Sequence, residues 1–344
     1  LPEGNRAGYC GTASIADIDA ARAVILVGTD PRNEAPVLNA RIRKAWRARS
    51  LPIGLIGEPV DLTYEHQYLG ASPASLAELK QGSGFFDVLA KAERPMIIVG
   101  QGAIARPDGL AVLSHAARLA QAVGAVKDGW NGLAVLHTAA GRVGALDAGA
   151  LPDAGGKATA DILSAARKGD ISFLYLLGVD EIDTADLGKA FVVYQGSHGD
   201  RGAHRADVVL PGAAYSEKPA IYVNTEGRPQ MTRRAIFPPG EAREDWAILR
   251  ALSERLEQTL PFDSLDELRT RLYEAAPHLA EQDEVVPADA PKLAALADVG
   301  GELGPLPFAS PVGDFYLTNP IARASRIMAE CSALRAGRRL EAAE

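Results

Sequence analysis

The stretch "AVILVGTD" (residues 23–30) is an unbroken apolar run closed by Gly28 and followed two residues later by Asp30. The pattern returns in "LPIGLIG" (51–57), "PMIIVGQG" (95–102), "FLYLLGVD" (173–180) and "AFVVYQG" (190–196). Continuous apolar runs of this length that end in Gly are what parallel strands covered on both faces look like. Between the first two, "APVLNARIRKAWRAR" (35–49) sets Val37, Leu38, Ile42, Ala45 and Trp46 near helical spacing against Arg41, Arg43, Lys44 and Arg47. That is an amphipathic crossover helix.

The Gly-x-Asp ending occurs twice, at 28–30 and 178–180, and each time another apolar strand follows. Alternating strands and helices joined by right-handed crossovers give open sheets. The expected fold class is therefore α/β, with two related open, mostly parallel-sheet lobes and an extended C-terminal arm and helix. The lobes are expected at 1–125 and 126–280, a linker at 281–318 and a docking helix at 319–344. Ligands in such sheets sit beyond the carboxyl ends of the strands, where Asp30, Asp180 and "QGSHGDRG" (195–202) would lie.

Local signals refine this outline. The Gly- and Ala-rich stretch 139–157 reads as a long loop, and "TADILSAARKGD" (159–170) as a helix capped by Thr159 and stopped at Gly169. Residues 241–260 place Trp246, Leu249, Leu252, Leu256 and Leu260 on one helical face, closing the second lobe. Residues 281–313 are rich in Pro, Gly and acid and read as an extended connector without a packed element. Beyond it, Ile321, Ala324, Ile327, Met328, Cys331 and Leu334 share one face of a final helix, which suits docking on a partner and equally folding back on the chain's own globule.

Of the 344 residues 47% are hydrophobic and 23% charged, which suits a globular protein with a substantial core. The formal charge of -8 excludes a general nucleic-acid surface, which needs an excess of Lys and Arg. No run approaches the roughly 20 apolar residues needed to span a bilayer, so any membrane association is expected to be indirect. Two cysteines, Cys10 and Cys331, cannot build a cluster or a zinc site. The chain opens on Leu1 without a start or cap signal, as a piece of a longer polypeptide would.

Four stretches offer site chemistry. "GQGAIA" (100–105) has a dinucleotide-type spacing, but Arg106-Pro107-Asp108 separates it from the next long helix, so a tight strand-to-helix turn explains it. "VGTDPRNEAP" (27–36) has Gly28 for a sharp turn, Asp30 or Asn33 as N-cap and Arg32 as an anion contact. His198, Asp200, His204 and Asp207 match no familiar metal-ligand spacing, and Ser197 lacks the nucleophile elbow. "ADVVLPGAAYSEKPAIYVNTEGRPQ" (206–230) gathers Asn224, Glu226, Gly227 and Arg228 in a polar loop between apolar runs.

Five stretches in order resemble the C-terminal half of the large, 75 kDa-type iron–sulfur subunit of respiratory NADH:quinone oxidoreductase (complex I). They are "VGTDPRNEAPVLNARIRKAW", "GEPVDLTYEHQYLG", "VVYQGSHGDRGAHRADVVLPGAAYSEKPAIYVNTEGRPQ", "EAREDWAILRALSE" and "DFYLTNPIARASRIMAEC". The resemblance implies a fold related to molybdopterin oxidoreductases such as formate dehydrogenases. There the GTDP- and NTEGR-type segments line a pterin site, which makes Gly28, Asp30, Asn224, Glu226, Gly227 and Arg228 vestigial positions. It further implies a scaffold without catalytic residues, cofactor or metal of its own, while 2Fe-2S and 4Fe-4S clusters belong to the N-terminal half of the subunit. The implied partners are that cluster-bearing half and other peripheral-arm subunits, with no nucleic acid and no direct membrane insertion. The implied place is the cytoplasmic side of a bacterial inner membrane, or the matrix side in a mitochondrion. The alternative is a working molybdopterin oxidoreductase with its cofactor at the GTDP and NTEGRP segments.

Overall fold

The computed structural model describes residues 5–152, 155–285 and 290–341. It divides into two compact units. The first comprises residues 1–147, 222–230 and 281–313, and the second residues 148–221, 231–280 and 314–344.

The first unit is built on a five-stranded parallel sheet of β1 (Ala23–Val27), β2 (Ile53–Ile56), β3 (Gln67–Gly70), β4 (Pro95–Val99) and β7 (Leu133–Val135), in the order β3-β2-β1-β4-β7. A small ribbon, β5 (Val126–Lys127) with β6 (Trp130–Asn131), precedes β7. Helices α1 (Pro31–Glu34) and α2 (Pro36–Arg49) follow β1, α3 (Pro73–Ala77) and α4 (Gly84–Lys91) precede β4, and α5 (Gln101–Ile104) and α6 (Gly109–Ala122) follow it. Helix α7 (Arg142–Asp147) ends the continuous stretch.

Side-chain alternation along the strands feeds two cores. Ala23, Ile25 and Val27 face Phe85, Leu89, Val112 and Ala116, whereas Val24 and Leu26 face Leu38, Ile42 and Ala45 of α2. The strands β1, β2 and β4 are buried on both faces and carry no polar side chain, whereas the edge strand β3 is partly exposed and carries Gln67.

Several expectations need correction here. The first unit continues past residue 125 to 147 because β7 pairs with β4. The stretch 139–157 is interrupted by α7. The connector contains a packed helix, α12 (Ala290–Asp298), whose Leu293, Leu296 and Ala297 enter the core beside α6. Three apolar positions at helical spacing suffice for one face, even between Pro- and Gly-rich flanks. Phe308, further along the connector, is also buried there.

The second unit has a three-stranded parallel sheet, order β10-β9-β8, of β8 (Phe173–Leu177), β9 (Phe191–Gly196) and β10 (Val208–Pro211). Helix α8 (Thr159–Lys168) precedes it and α9 (Arg201–Arg205) joins β9 to β10. Gly169, at φ 84°, stops α8 as expected, although Ala158 and not Thr159 holds the N-cap position.

Helices α10 (Asp245–Arg255) and α11 (Leu265–Ala275) follow. The helix expected over 241–260 is shorter at both ends, and Leu256 is exposed. Glu257 adopts φ 57° and the Gln258 amide reaches back to Ser253 O at 3.0 Å, a left-handed C-terminal cap. The final helix is two helices, α13 (Pro320–Ala324) and α14 (Arg326–Glu341), parted by extended Ser325. Arg323 of α13 binds Asp200 and Glu181 within the second unit, while Ile327 and Leu334 are exposed. The hairpin of β11 (Ile221–Val223) and β12 (Pro229–Met231) carries a turn that belongs to the first unit.

Candidate functional site

The turn of the β11–β12 hairpin, "NTEGR" (224–228), is closed by its own polar groups. Asn224 Oδ1 accepts from the amides of Glu226 at 3.2 Å and Arg228 at 3.0 Å. Gly227 takes φ 86°, a left-handed conformation natural to glycine, and its amide donates to Asn224 O at 3.0 Å. The buried Glu226 carboxylate accepts from the Ile15 amide at 2.7 Å, from Asn224 Nδ2 at 3.2 Å and from Arg228 Nε at 3.0 Å. Burial pushes its pKa up, but the donors on Ile15, Asn224 and Arg228 outweigh burial and hold it below the usual value. Arg228 also donates to Asp283 O, and Thr225 Oγ1 to Val135 O.

Residues that sequence reasoning did not single out complete this corner. Arg6 donates to both carboxylate oxygens of fully buried Asp147, at 2.9 and 3.0 Å, and to Gly227 O at 3.3 Å. Tyr9 OH donates to Asp147 Oδ1 at 2.8 Å. Burial, then the bond to Asp147, raises the Tyr9 phenol. Burial also pushes the Cys10 thiol up to about 11, with Arg6 opposing and Asp147 and Glu226 adding to the rise. No local signal could have found the Arg6–Asp147 pair, whose members lie 141 residues apart.

The GTDP turn is held by a separate network. Gly28 has φ 57°, and a Cβ there would come within 2.6 Å of Ala103 N. Asp30 caps α1 by accepting from the Arg32 amide at 3.1 Å and also takes Asn33 Nδ2. Glu34 turns back to accept from Thr29 Oγ1 at 2.7 Å and from the Asp30 amide at 3.0 Å. Arg32, the expected anion contact, is instead bonded to Asp61 at 2.7 Å.

At the end of β4, "GQGAIA" forms the four-residue turn of helix α5 within the motif, and Arg106-Pro107-Asp108 separates it from α6, with Asp108 at the N-cap, as expected. A strap of connector covers it. A Cβ on Gly102 would collide with the Ala309 carbonyl, and Ser310 bonds Glu34 at 2.9 Å through its hydroxyl and Glu58 at 3.0 Å through its amide. Nearby His137 donates Nε2–H to Tyr9 O, and burial lowers its pKa against that bond.

In the second unit, buried Asp180 accepts from Tyr194 OH at 2.9 Å and the Gly202 amide at 3.0 Å. Asp200 caps α9 and takes Arg323 at 2.5 Å, and Asp207 takes the Val192 amide at 2.8 Å. Among the described residues no group of three or more His, Cys, Asp and Glu could hold a metal.

These observations also decide what groups the residues fit. Two cysteines cannot supply the four thiolates of an iron–sulfur cluster. A pterin needs free donors and open turns. Here the donors of the GTDP and NTEGR segments are engaged with the chain itself and Gly102 is covered, so the residues do not fit one.

The fold and these segments define a class, the molybdopterin oxidoreductases: that family's model matches residues 1–255, and the chain belongs to the family. Within it, the similarity runs to the 75/78 kDa iron–sulfur subunit of complex I, whose molybdopterin oxidoreductase-like C-terminal region it matches. A second family model, for a C-terminal region of NADH-ubiquinone oxidoreductase, matches residues 284–331. The chain is 42% identical over 331 residues to a potato (Solanum tuberosum) mitochondrial protein named NADH dehydrogenase [ubiquinone] iron-sulfur protein 1, covering 96% of this chain and 43% of that one. It is 44% identical over 336 residues to the Neurospora crassa mitochondrial NADH-ubiquinone oxidoreductase 78 kDa subunit, covering 95% of this chain and 44% of that one. The Candida albicans 78 kDa subunit gives 42% over 340 residues, covering 95% and 45%. The chain thus spans less than half the length of these relatives. Acetylene hydratase from Pelobacter acetylenicus shares the fold, with a TM-score of 0.52 at 13% identity over 81% of this chain and 52% of that one.

Proposed function

We propose that the chain is the scaffold and interaction part of the large iron–sulfur subunit of an NADH:quinone oxidoreductase. In this reading it supports electron transfer from NADH to quinone without carrying electrons. The 2Fe-2S and 4Fe-4S clusters lie in the N-terminal half of the subunit and in its neighbours, and the subunit sits peripherally on the cytoplasmic or matrix side of the membrane. The observation that carries the reading is identity of 42–44% along 95–96% of the chain to the complex I subunits. Among the described residues no helix is long and apolar enough to cross a membrane.

Gly28, Asp30, Asn224, Glu226, Gly227 and Arg228 are, on this reading, former pterin-lining positions now used to brace loops. Their internal hydrogen bonds support it. The test is recovery of the tagged full-length protein from gently solubilised membranes, with mass spectrometry of partners, NADH-dependent reductase assay and elemental analysis. Co-recovery with a flavoprotein, further iron–sulfur subunits and reductase activity is expected. Recovery alone with stoichiometric molybdenum or tungsten overturns the reading in favour of the molybdopterin enzyme.

A further inference from the structure

The five-stranded sheet of the first unit is closed along one edge and open along the other. At β7 the segment Gly11–Ala13 lies against the strand: Gly11 forms a bridge with Ala134, and the amides of Thr12 and Ala13 donate to Leu133 O at 2.7 and 2.8 Å. At β3, the other edge, no described strand pairs with the outer side. Its sequence, "QYLG", holds neither a charge nor a proline, two of the devices that keep a free edge from pairing. Gln67 and Tyr68 are exposed there.

A groove opens where β3 begins. It measures about 720 Å³ and lies between Trp46 and Arg47 of α2 on one side and Phe85 and Val88 of α4 on the other, with Ile53 and Gln67, the first residues of β2 and β3, between them. It is therefore at the amino ends of the strands, away from the GTDP turn, which follows the carboxyl end of β1. An apolar lining with a few polar groups at its rim suits a large aliphatic or aromatic side chain.

The charge beside the groove is one-sided. Residues 35–57 contain five cations, Arg41, Arg43, Lys44, Arg47 and Arg49, and no Asp or Glu, in a chain of net charge -8. Three of them are used within the unit. Arg41 donates to Ile15 O and pairs with Asp19, Arg43 donates to Thr63 O, and Arg49 donates to the carbonyls of Ile18 and Ala21. Lys44 and Arg47, three residues apart on the exposed face of α2, have no ion pair among the described residues. Ala40 and Val37 continue that face one and two turns earlier. Glu65 is the one carboxylate in the groove lining.

We propose that the edge of β3, the groove and the Lys44–Arg47 face form one docking surface for an extended acidic segment of a neighbouring subunit. The segment pairs with the outer edge of β3, places an apolar side chain in the groove and sets Asp or Glu against Lys44 and Arg47. Main-chain hydrogen bonds along a free edge supply affinity, and pockets and charges select the partner. Two unpaired cations are too few for a nucleic-acid backbone, whose binding draws on a row of phosphate contacts. The proposal rests on the reading above that the chain is the interaction part of a multisubunit reductase.

The experiment uses the full-length protein in its native assembly. A water-soluble carbodiimide joins an amine to a carboxylate that touches it, and digestion with mass spectrometry locates the new amide. In the unsubstituted assembly, Lys44 is expected to be joined to an Asp or Glu of another subunit. Independently, Gln67→p-benzoylphenylalanine or Val88→p-benzoylphenylalanine should form a photoadduct with the same segment of that subunit. The probe at Leu110, 38% exposed on α6, should not. Adding Lys44→Glu and Arg47→Glu to the photoprobe protein should lower the adduct yield at least about tenfold.

Lys44 left unjoined, Lys44 joined to its own polypeptide or to an isotopically distinct copy, or an adduct yield unchanged by charge reversal overturns the proposal. The carbodiimide arm needs no substitution, so a folding defect in a variant does not decide the outcome. Recovery with the reductase subunits but without the Lys44 amide overturns this surface and leaves the functional reading standing. An amide between Lys44 and a partner that belongs to no reductase overturns the functional reading and leaves the surface.

Discussion

Glu226→Gln tests the idea that the NTEGR loop is a brace, because it keeps the shape of the side chain and removes its charge. Glu226 is buried and accepts three hydrogen bonds, one of them from the Arg228 guanidinium. Hydrogen bonds to charged groups contribute about 1.5–3 kcal/mol each, against about 1 for neutral ones. Glutamine keeps one acceptor oxygen, so the net loss is about 2 kcal/mol, equivalent to roughly 30-fold in an opening equilibrium. The Ile15 amide reports it directly, since its bond to Glu226 at 2.7 Å breaks only when the loop opens. Its exchange should accelerate by roughly 30-fold at neutral pH. The pH dependence has a definite sign. The Glu226 pKa is lowered on folding, so its stabilisation is present above the unfolded value, about 4.3, and is lost as pH falls through the folded value. Wild type should therefore converge on the glutamine variant in acid. Unchanged Ile15 protection at pH 7, or a gap between the two proteins that widens on acidification, would refute the reasoning.

Three further predictions follow from the first unit's packing. Gly28→Ala places a methyl group within 2.6 Å of Ala103 N at φ 57° and should cost about 3 kcal/mol, read as a lowered denaturation midpoint. Leu296→Ala on α12, fully buried, should cost about 2–5 kcal/mol, whereas a loose connector would show no change in melting. In native protein at pH 8, iodoacetamide should label half-buried Cys331 well before Cys10, which is buried and has its thiol raised to about 11; equal labelling rates would contradict the packing around Cys10.

What the sequence disclosed depended on whether a signal was local. β1, β2, β4, β8 and β9 stood out because a strand's apolar run is read within a few residues. β3 and β7 are short, and their place was set by pairing outside their own segments, Gln67 with Gly54 and Leu133 with Ile97. Helix α12 was hidden because its apolar stripe spans only Leu293 to Ala297 amid proline and glycine. At the candidate site, Asn224 and Gly227 were legible as turn formers. What Glu226 holds was not, because the Ile15 amide lies 211 residues away in sequence. The same distance problem hid Arg6 and Asp147.

The pairing pattern also bears on why a ligand-type turn works as structure. An anion-binding turn leaves amides free at a helix start. In the GTDP turn the Asp30 amide and the Thr29 hydroxyl are taken by Glu34, and the strap residue Ser310 is held by Glu34 and Glu58. An entering phosphate would have to displace a carboxylate from those donors and then sit beside it, which like-charge repulsion opposes. The negative charge that a pterin phosphate would bring is already present on the side chain of Glu34. The donors of the turn are therefore spent on Glu34 of α1, and the Glu34 and Glu58 carboxylates in turn accept from Ser310 and hold the strap in place.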